Sequence, residues 1–245
     1  MILSGTKLTK YFGGLAALYE VDFHLHENEI LGLIGPNGAG KTTLFNVIAG
    51  GLKSDRGTIN FEGDIITGLR QDLICKKGIA RTFQIPKPFL EMSVLENGVV
   101  GSYFGSFGKR SLKECQKHVD DILSLVGLAH KRNVLASQLT LVERKRLELA
   151  RGLTTRPLVL LLDEVIAGLN PTETQEMMNF IKKVRERGIS IIMIEHVMKA
   201  VMGVSDRVIV LNHGQKIAEG KPDEIVVNQE VIEAYLGGMN HAFPR

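Results

Sequence analysis

Residues 35–42 read GPNGAGKT, and their types suit the binding of phosphate groups. Glycines let successive backbone N–H groups curve around an anion, and a helix that begins at the loop adds the positive end of its dipole. Lys41 is placed to reach the β- and γ-phosphates, and Thr42 to give its hydroxyl to Mg²⁺. The residues expected around the phosphates are Gly35, Pro36, Asn37, Gly38, Ala39, Gly40, Lys41, Thr42 and Thr43.

A second chemical signal is the apolar run LVLLLDE, which ends in Asp163 and Glu164. A buried strand that ends in a carboxylate is where Mg²⁺ is held in phosphate-loop enzymes, so we expect Asp163 to be a metal ligand. Because side chains alternate along a strand, Glu164 points the other way, where it can polarise a water for attack on the γ-phosphate. Two acids after an apolar run are weak evidence alone, but Lys41 and Thr42 upstream make the signal strong.

These side chains need buried strands and helices to position them. The run EILGLIG before the loop suits a buried strand, and the residues after it suit a helix that stops at GG. In VDFHLHE apolar and polar residues alternate, as in a strand with one solvent-exposed face. LVLLLDE, ISIIMIEH and RVIVLNHG follow as further strands. Between them PTETQEMMNFIKKVRERG begins with Pro171 and ends at Gly188, as a helix does.

The segment from 87 to 150 has a different sequence pattern from the segments on either side of it. It shows no clear strand, and Leu112, Cys115, Val119, Ile122, Leu123 and Val126 recur at helical spacing. The sequence therefore predicts an α/β fold in a single domain. Its parts are a catalytic core with a β-subdomain (1–86 and 151–225), a helical insert (87–150), and a C-terminal helix and tail (226–245).

Composition narrows the functional class. The chain has 245 residues, 44% of them hydrophobic, and 30 basic against 27 acidic side chains, a balance that argues against nucleic acid as a partner. Cys75 and Cys115 have no metal spacing and are expected to be reduced thiols. We see no signal peptide, and the longest apolar runs fall far short of a membrane span, so other chains would have to cross a membrane.

The order GPNGAGKTT, RTFQ, helical insert, LLLDE and IMIEH resembles the ATP-binding cassette ATPases of membrane transporters, over nearly the whole chain. The resemblance implies a RecA-like P-loop NTPase core that uses ATP and Mg²⁺. By similarity, Gln84 would sense Mg²⁺ and the transmembrane partner, and His196 would contact the γ-phosphate. Phe12 would stack on adenine, with Tyr11 as the second candidate.

Longer stretches narrow the resemblance to a subgroup. IARTFQIPKPFLEMSVLENGVVG, AGLNPTE and the ending VIEAYLGG are similar to cassettes that power bacterial importers of branched-chain and other hydrophobic amino acids. Cassettes for lipopolysaccharide transport share much of this pattern, so that function stays open. Two more functions stay open beside it, a non-hydrolysing regulatory cassette and a soluble P-loop kinase.

The resemblance also implies partners. They are transmembrane permease subunits, a second cassette in a head-to-tail dimer and, indirectly, a periplasmic binding protein, with the chain peripheral at the cytoplasmic face of the inner membrane. A candidate groove for a permease helix is formed by Pro86, Pro88, Phe89, Leu90, Tyr103, Phe104 and Phe107. The competing interpretation is that the aromatic residues are the core of the insert itself.

The chain departs from the family where the signature LSGGQ is usual, because residues 139–143 read LTLVE. Leu141 and Val142 replace glycines that permit close approach to a partner's γ-phosphate. Thr140 keeps a hydroxyl that could touch that phosphate, but Thr140 and Glu143 also form the T-x-x-E pattern of a helix cap. Asn170 stands where aspartate is frequent. We therefore predict unequal ATP sites in an assembled transporter.

Overall fold

Strands dominate the first part of the chain and return after the insert. In chain order they are β1 (Leu3–Phe12), β2 (Leu15–Leu25), β3 (Ile30–Ile34), β4 (Arg56–Phe61), β5 (Asp64–Ile65), β6 (Ile79–Arg81), β7 (Val159–Asp163), β8 (Ser190–Ile194), β9 (Arg207–Asn212) and β10 (Gln215–Gly220). The helices are α1 (Lys41–Ile48), α2 (Gln71–Lys77), α3 (Val94–Phe104), α4 (Leu112–Leu125), α5 (Leu141–Thr154), α6 (Pro171–Glu186), α7 (Met198–Val204), α8 (Pro222–Val226) and α9 (Gln229–Gly237). This computed structural model of the chain describes residues 1–106 and 111–237.

The strands of the described residues form two sheets. The antiparallel sheet has the order β2-β1-β4-β5, and its strand β2 buries Val21, Phe23 and Leu25 while the residues between them are more exposed, as the alternation predicts. The other sheet has the order β10-β9-β3-β8-β7-β6, in which β9, β3, β8, β7 and β6 run parallel and β10 pairs antiparallel with β9. These sheets and their helices agree with the predicted α/β class.

The parallel sheet is buried on both faces, which is why β3, β7 and β8 read as unbroken apolar runs. Leu160 and Leu162 of β7 pack with the helical insert, whereas Leu161 packs on the side of α1 and the antiparallel sheet. Each such fully buried leucine contributes about 1.5–3 kcal/mol to folding. Leu161→Ala would cost about 2–5 kcal/mol, because the cavity cannot close between two packed layers.

Helices α3, α4 and α5 pack against one another, and they lie in the segment predicted to be a helical insert. Helix α4 buries Cys115, Val119, Ile122 and Leu123, as its spacing predicts. The prediction was wrong for Leu112, which is 62% exposed although it shares the face of Val119, because it is the first residue of the helix, directly after the cap Ser111. Helix α5 runs on to Thr154, beyond the predicted end of the insert at 150, and the domain boundaries stay a prediction.

Local signals start the longer helices. Helices α3, α4, α5 and α6 each begin with a capping box, in which the cap side chain and a glutamate three residues later exchange hydrogen bonds with the backbone. The cap residues are Ser93, Ser111, Thr140 and Asn170. Across residues 1–106 and 111–237, none of the helices is both long and apolar enough to cross a membrane.

Candidate active site

The loop between β3 and α1 curves because its glycines adopt backbone angles that other residues avoid. Gly35, Gly38 and Gly40 have φ of 148°, 79° and 102°. A Cβ on Gly35 would lie 2.1 Å from the Leu211 carbonyl oxygen, and one on Gly40 would lie 2.4 Å from that of Ala17, so glycine is required at both positions. Helix α1 has no acidic residue in its first turn, which leaves its positive end available to an anion.

The Lys41 ammonium lies inside this loop. Its Nζ donates to the carbonyl oxygens of Gly35 at 2.7 Å and Pro36 at 2.9 Å, and the side chain is buried. Burial lowers the pKa of Lys41, and the negative charges of Glu164 and Asp163 oppose the shift. A cation held by neutral carbonyl groups in a buried loop is a strong attractor for phosphate oxygens.

Glu164, His196 and Gln84 come together, although they are far apart in the chain. Oε1 of Glu164 lies 2.8 Å from Nε2 of His196, and Oε2 accepts a hydrogen bond of 2.6 Å from the Gln84 amide. Parallel pairing of β6, β7 and β8 brings the carboxyl ends of these strands to one edge, where such side chains can meet. Glu164 has φ 51°, in the left-handed region, and its N–H donates to the Ile194 carbonyl at 2.9 Å.

Asp163 is engaged by a residue that the sequence interpretation missed. Arg81 donates from Nη2 to Oδ2 of Asp163 at 2.7 Å, and its other terminal nitrogen donates to the Asn46 side chain. The guanidinium also lies 5.7 Å from the ring centroid of Phe45 and 5.4 Å from that of Phe83. The available signal was position: Arg81 ends β6, the neighbour of the strand that ends in Asp163.

The donor set fits Mg²⁺ bound together with a nucleotide. Among the described residues there is no cluster of three or more His, Cys, Asp or Glu side chains suited to a metal ion. Mg²⁺ bound with nucleotides takes one or two protein oxygens and completes its shell with phosphate and water. The Asp163 carboxylate and the Thr42 hydroxyl supply oxygens of that type, and Lys41 lies in the same loop to balance phosphate charge.

A cleft of about 250 Å³ brings most of the predicted residues together. Its lining includes Asn37, Gly38, Ala39, Gly40, Lys41, Thr42, Thr43, Glu164 and His196. The sequence interpretation missed Leu15, Ala16, Ala17 and His213, which also line it. Gly214 connects these segments, since its carbonyl accepts from Tyr19 N–H at 2.8 Å and its N–H donates to Ala39 at 3.0 Å. Gly35, Pro36, Gln84, Asp163, Phe12 and Thr140 are outside this lining.

Comparison with known proteins assigns the family. Residues 18–167 match the family described as ABC transporter, and residues 215–239 match the one described as branched-chain amino acid ATP-binding cassette transporter. The chain belongs to the ABC transporter family. This ABC chain is 40% identical over 249 residues to the high-affinity branched-chain amino acid transport ATP-binding protein BraF of Pseudomonas aeruginosa, with 96% of this chain and 98% of that protein covered.

Other relatives agree with this assignment. The protein LivG of Escherichia coli strain K12, which has the same description, is 42% identical over 249 residues and covers 96% and 98% of the two chains. A solved ABC transporter cassette in its ADP conformation superposes with a TM-score of 0.87 at 33% identity, over 96% and 98% of the chains. The dimeric structure of a bacterial ABC transporter cassette gives a TM-score of 0.81 at 25% identity, over 90% and 99%. The predicted family and fold class are confirmed.

The altered signature of this ABC chain caps its own helix. The Thr140 hydroxyl accepts from the Glu143 N–H at 3.3 Å, and the Glu143 carboxylate accepts from the Thr140 N–H at 3.0 Å. Lys131 lies 2.6 Å from the other oxygen of Glu143, and this contact lowers the pKa of Glu143. The capping box is therefore real, and the Glu143 charge is paired. Because a hydroxyl that accepts one bond still has a proton to donate, a phosphate contact by Thr140 stays a prediction.

The predicted adenine contact also stays a prediction. Phe12 lies at the end of β1 and is 48% exposed, with Lys10 Nζ 5.8 Å from its ring centroid. Tyr11 is 37% exposed, and its N–H donates to Asp55 at 2.7 Å. Both side chains are accessible, so exposure alone does not choose between them.

Proposed function

We propose that the chain is the ATP-hydrolysing subunit of an importer for branched-chain or other hydrophobic amino acids. The observation that carries hydrolysis is the Glu164 carboxylate held between Gln84 and His196 beside the Lys41 loop. The substrate class rests on relatives named as branched-chain amino acid transport ATP-binding proteins and on the family match at residues 215–239. The cassette would be peripheral, at the cytoplasmic face of the inner membrane.

The chemistry follows from the placement of the side chains. Lys41 and the loop amides bind the phosphates, while Thr42, Asp163 and Gln84 are the proposed ligands of Mg²⁺, which neutralises charge on the phosphates. Glu164 orients a water and accepts its proton as the water oxygen bonds to the γ-phosphorus and the bond to the ADP oxygen breaks. His196 donates to the γ-phosphate, and Phe12 stacks on adenine.

The proposed permease contact is an exposed apolar surface after β6. Ile85, Phe89 and Leu90 are exposed, and so are Tyr103 and Phe104, whose rings meet edge to face at 5.1 Å. Their exposure contradicts the interpretation that these aromatic residues form the core of the insert. Phe107 lies outside the described residues. An exposed apolar patch of this kind suits a helix from a membrane subunit.

Helix α5 holds this permease-contact loop. Arg151 donates to the Lys87 carbonyl at 2.7 Å and lies 4.8 Å from the Phe89 ring centroid, while its Nη1 is 3.0 Å from the buried Glu148 carboxylate. Helix α5 begins at the altered signature, so one rigid element joins the permease contact to the loop that would face a second cassette. A periplasmic binding protein would act indirectly, through the permeases.

The proposal is tested by ATP hydrolysis in a reconstituted transporter. The chain, its permease subunits and a second cassette are placed in liposomes, and phosphate release is measured with and without leucine-loaded binding protein. We expect leucine to stimulate release and Glu164→Gln to retain ATP binding but lower turnover by about 100-fold or more. Glu186→Gln, at the end of α6, is the matched control and should keep the parental rate.

Each contrary result has a clear meaning. ATP binding without phosphate release in the parental complex would show a regulatory cassette. Release that responds to lipopolysaccharide and ignores leucine would overturn the substrate class. Unchanged turnover in Glu164→Gln would overturn the role of that carboxylate.

A further inference from the structure

The turn that follows Glu164 is held from two directions by buried charged side chains. Glu195 accepts a hydrogen bond of 2.7 Å from the Ile166 N–H through Oε1. Lys145, from helix α5, donates to the carbonyl oxygens of Ala167 and Val165, the latter at 3.4 Å. A carboxylate therefore binds a donor of the turn, and an ammonium binds its acceptors.

Burying these two charged side chains costs desolvation free energy. Glu195 is 1% exposed and Lys145 is 8% exposed. Burial raises the pKa of Glu195 to about 7 and lowers that of Lys145. Within the described residues, Oε2 of Glu195 is buried and has no hydrogen-bond partner. Apolar side chains at both positions would avoid this desolvation cost, so packing alone does not explain why two charged side chains are buried here.

The connectivity supplies that explanation. The turn 165–167 directly follows Glu164, and Glu195 directly precedes His196. The Glu195–Ile166 bond thus joins the two backbone segments that carry the two ends of the Glu164–His196 contact. Lys145 then ties the same turn to α5.

We infer that Lys145 and Glu195 are positioning residues for hydrolysis. They hold the turn 165–167 so that Glu164 stays opposed to His196, and neither touches the nucleotide. This inference rests on the proposed function, because it takes Glu164 as the carboxylate that activates water. It assigns the buried charge at the start of α5 to the neighbouring loop rather than to helix stability.

The first test is the steady-state kinetics of the reconstituted transporter. We expect Lys145→Met and Glu195→Ala each to lower kcat roughly tenfold with little change in the KM for ATP, since each removes the hydrogen bonding of its side chain to the turn, remote from the phosphates. Lys145→Arg and Glu195→Gln keep the donor or the acceptor and should restore most of the rate. Arg146→Met is the matched control, because Arg146 lies on the same helix and pairs with the exposed Glu176.

The second test needs no activity. Hydrogen exchange of the Ile166 amide in the isolated full-length chain should accelerate roughly tenfold in Glu195→Ala, because the amide loses its acceptor. Exchange in the neighbouring strand β8 should stay at the parental rate. Equal acceleration throughout the sheet would show general destabilisation and overturn the inference.

The proposed function and the positioning role fail separately. If Glu164→Gln stops hydrolysis while Lys145→Met and Glu195→Ala turn over at the parental rate, the positioning role is wrong and the proposed function stands. If the parental complex releases no phosphate, the proposed function itself fails. If Glu164→Gln hydrolyses ATP normally, the role of Glu164 fails, and the positioning role fails with it. In that case, faster hydrogen exchange of the Ile166 amide would report only on local structure and would not give Lys145 and Glu195 a role in catalysis.

Discussion

Nε2 of His196 lies 2.8 Å from Oε1 of Glu164, and this contact closes a chain of side chains that begins at Gln84. Both oxygens of the carboxylate are therefore held in place. The backbone at Glu164 is in the left-handed region, a conformation that costs about 1 kcal/mol or more for a residue with a side chain. Buried neighbours and the bond to the Ile194 carbonyl hold the residue there.

The Gln84 contact predicts a like-charge effect on turnover. Gln84→Glu would place a second carboxylate against Glu164, and two like charges at hydrogen-bond distance repel each other. Gln84→Ala removes the bond without adding charge. In the reconstituted transporter we expect phosphate release to fall about tenfold further in Gln84→Glu than in Gln84→Ala, because the repulsion displaces Glu164 from its proposed position. Equal rates in the two variants would show that this contact is not maintained during turnover.

Thr140 can be tested because two substitutions separate its roles. Aspartate caps a helix as well as threonine does but, when ionised, has no proton to donate. We expect Thr140→Ser to keep the ATPase rate and Thr140→Asp to lower it about tenfold or more, with an unfolding midpoint close to the parental one. The measurements are phosphate release and thermal unfolding. Equal rates in the two variants would mean that Thr140 only caps α5.

We predict that Arg81 stabilises the folded chain as well as holding Asp163 in the site. Its ion pair with Asp163 is almost fully buried, with side chains 10% and 6% exposed. Removing one partner of such a pair leaves an uncompensated charge, so Arg81→Met should cost about 3–5 kcal/mol in urea unfolding. Adding Asp163→Asn should recover part of that loss by removing the stranded charge. Additive costs in the double variant would refute the coupling.

Glu195 predicts how stability depends on pH. Burial raises its pKa from 4.5 to about 7; the charge of Glu164 adds to the shift, whereas the Ile166 N–H and Lys145 oppose it. The folded chain binds this proton more tightly than the unfolded chain, so the contribution is present below pH 4.5 and lost as pH rises through 7. Urea unfolding of the parental chain should lose about 1–3 kcal/mol more than Glu195→Gln over that range. Glu186→Gln should follow the parental curve.

Much of the site was predictable because its residues follow strands. A strand that ends in Asp163 and Glu164, and another that ends just before His196, must meet at one edge if they are parallel. The glycine loop was predictable from Gly35 and Gly40, whose backbone geometry no other residue adopts at low cost. Helix α4 was predictable from the helical spacing of its apolar residues.

The partners of those residues were not predictable, because they depend on side chains that meet only after folding. Arg81 reads as an ordinary arginine after a short strand, yet it contacts Asp163, which is 82 positions away. Lys145 reads as part of a charged helix surface, since neighbouring Arg144 and Arg146 are also basic. Its burial becomes visible only when the turn 165–167 is packed against α5. Leu112 was misplaced because spacing gives the face of a residue but does not show whether another element covers the end of the helix.

The position of β3 between β8 and β9 affects the order in which the chain can fold during its synthesis. Leu31 pairs with Ile192 and Arg207, so the central strand has no parallel neighbour until most of the chain has been synthesised. Helices α3, α4, α5 and α6 lie between these partners and carry their own start signals. On the ribosome, these helices can form before β3 acquires its parallel neighbours. Assembly of the nucleotide site is therefore a late event, completed only when the strand before His196 has left the exit tunnel.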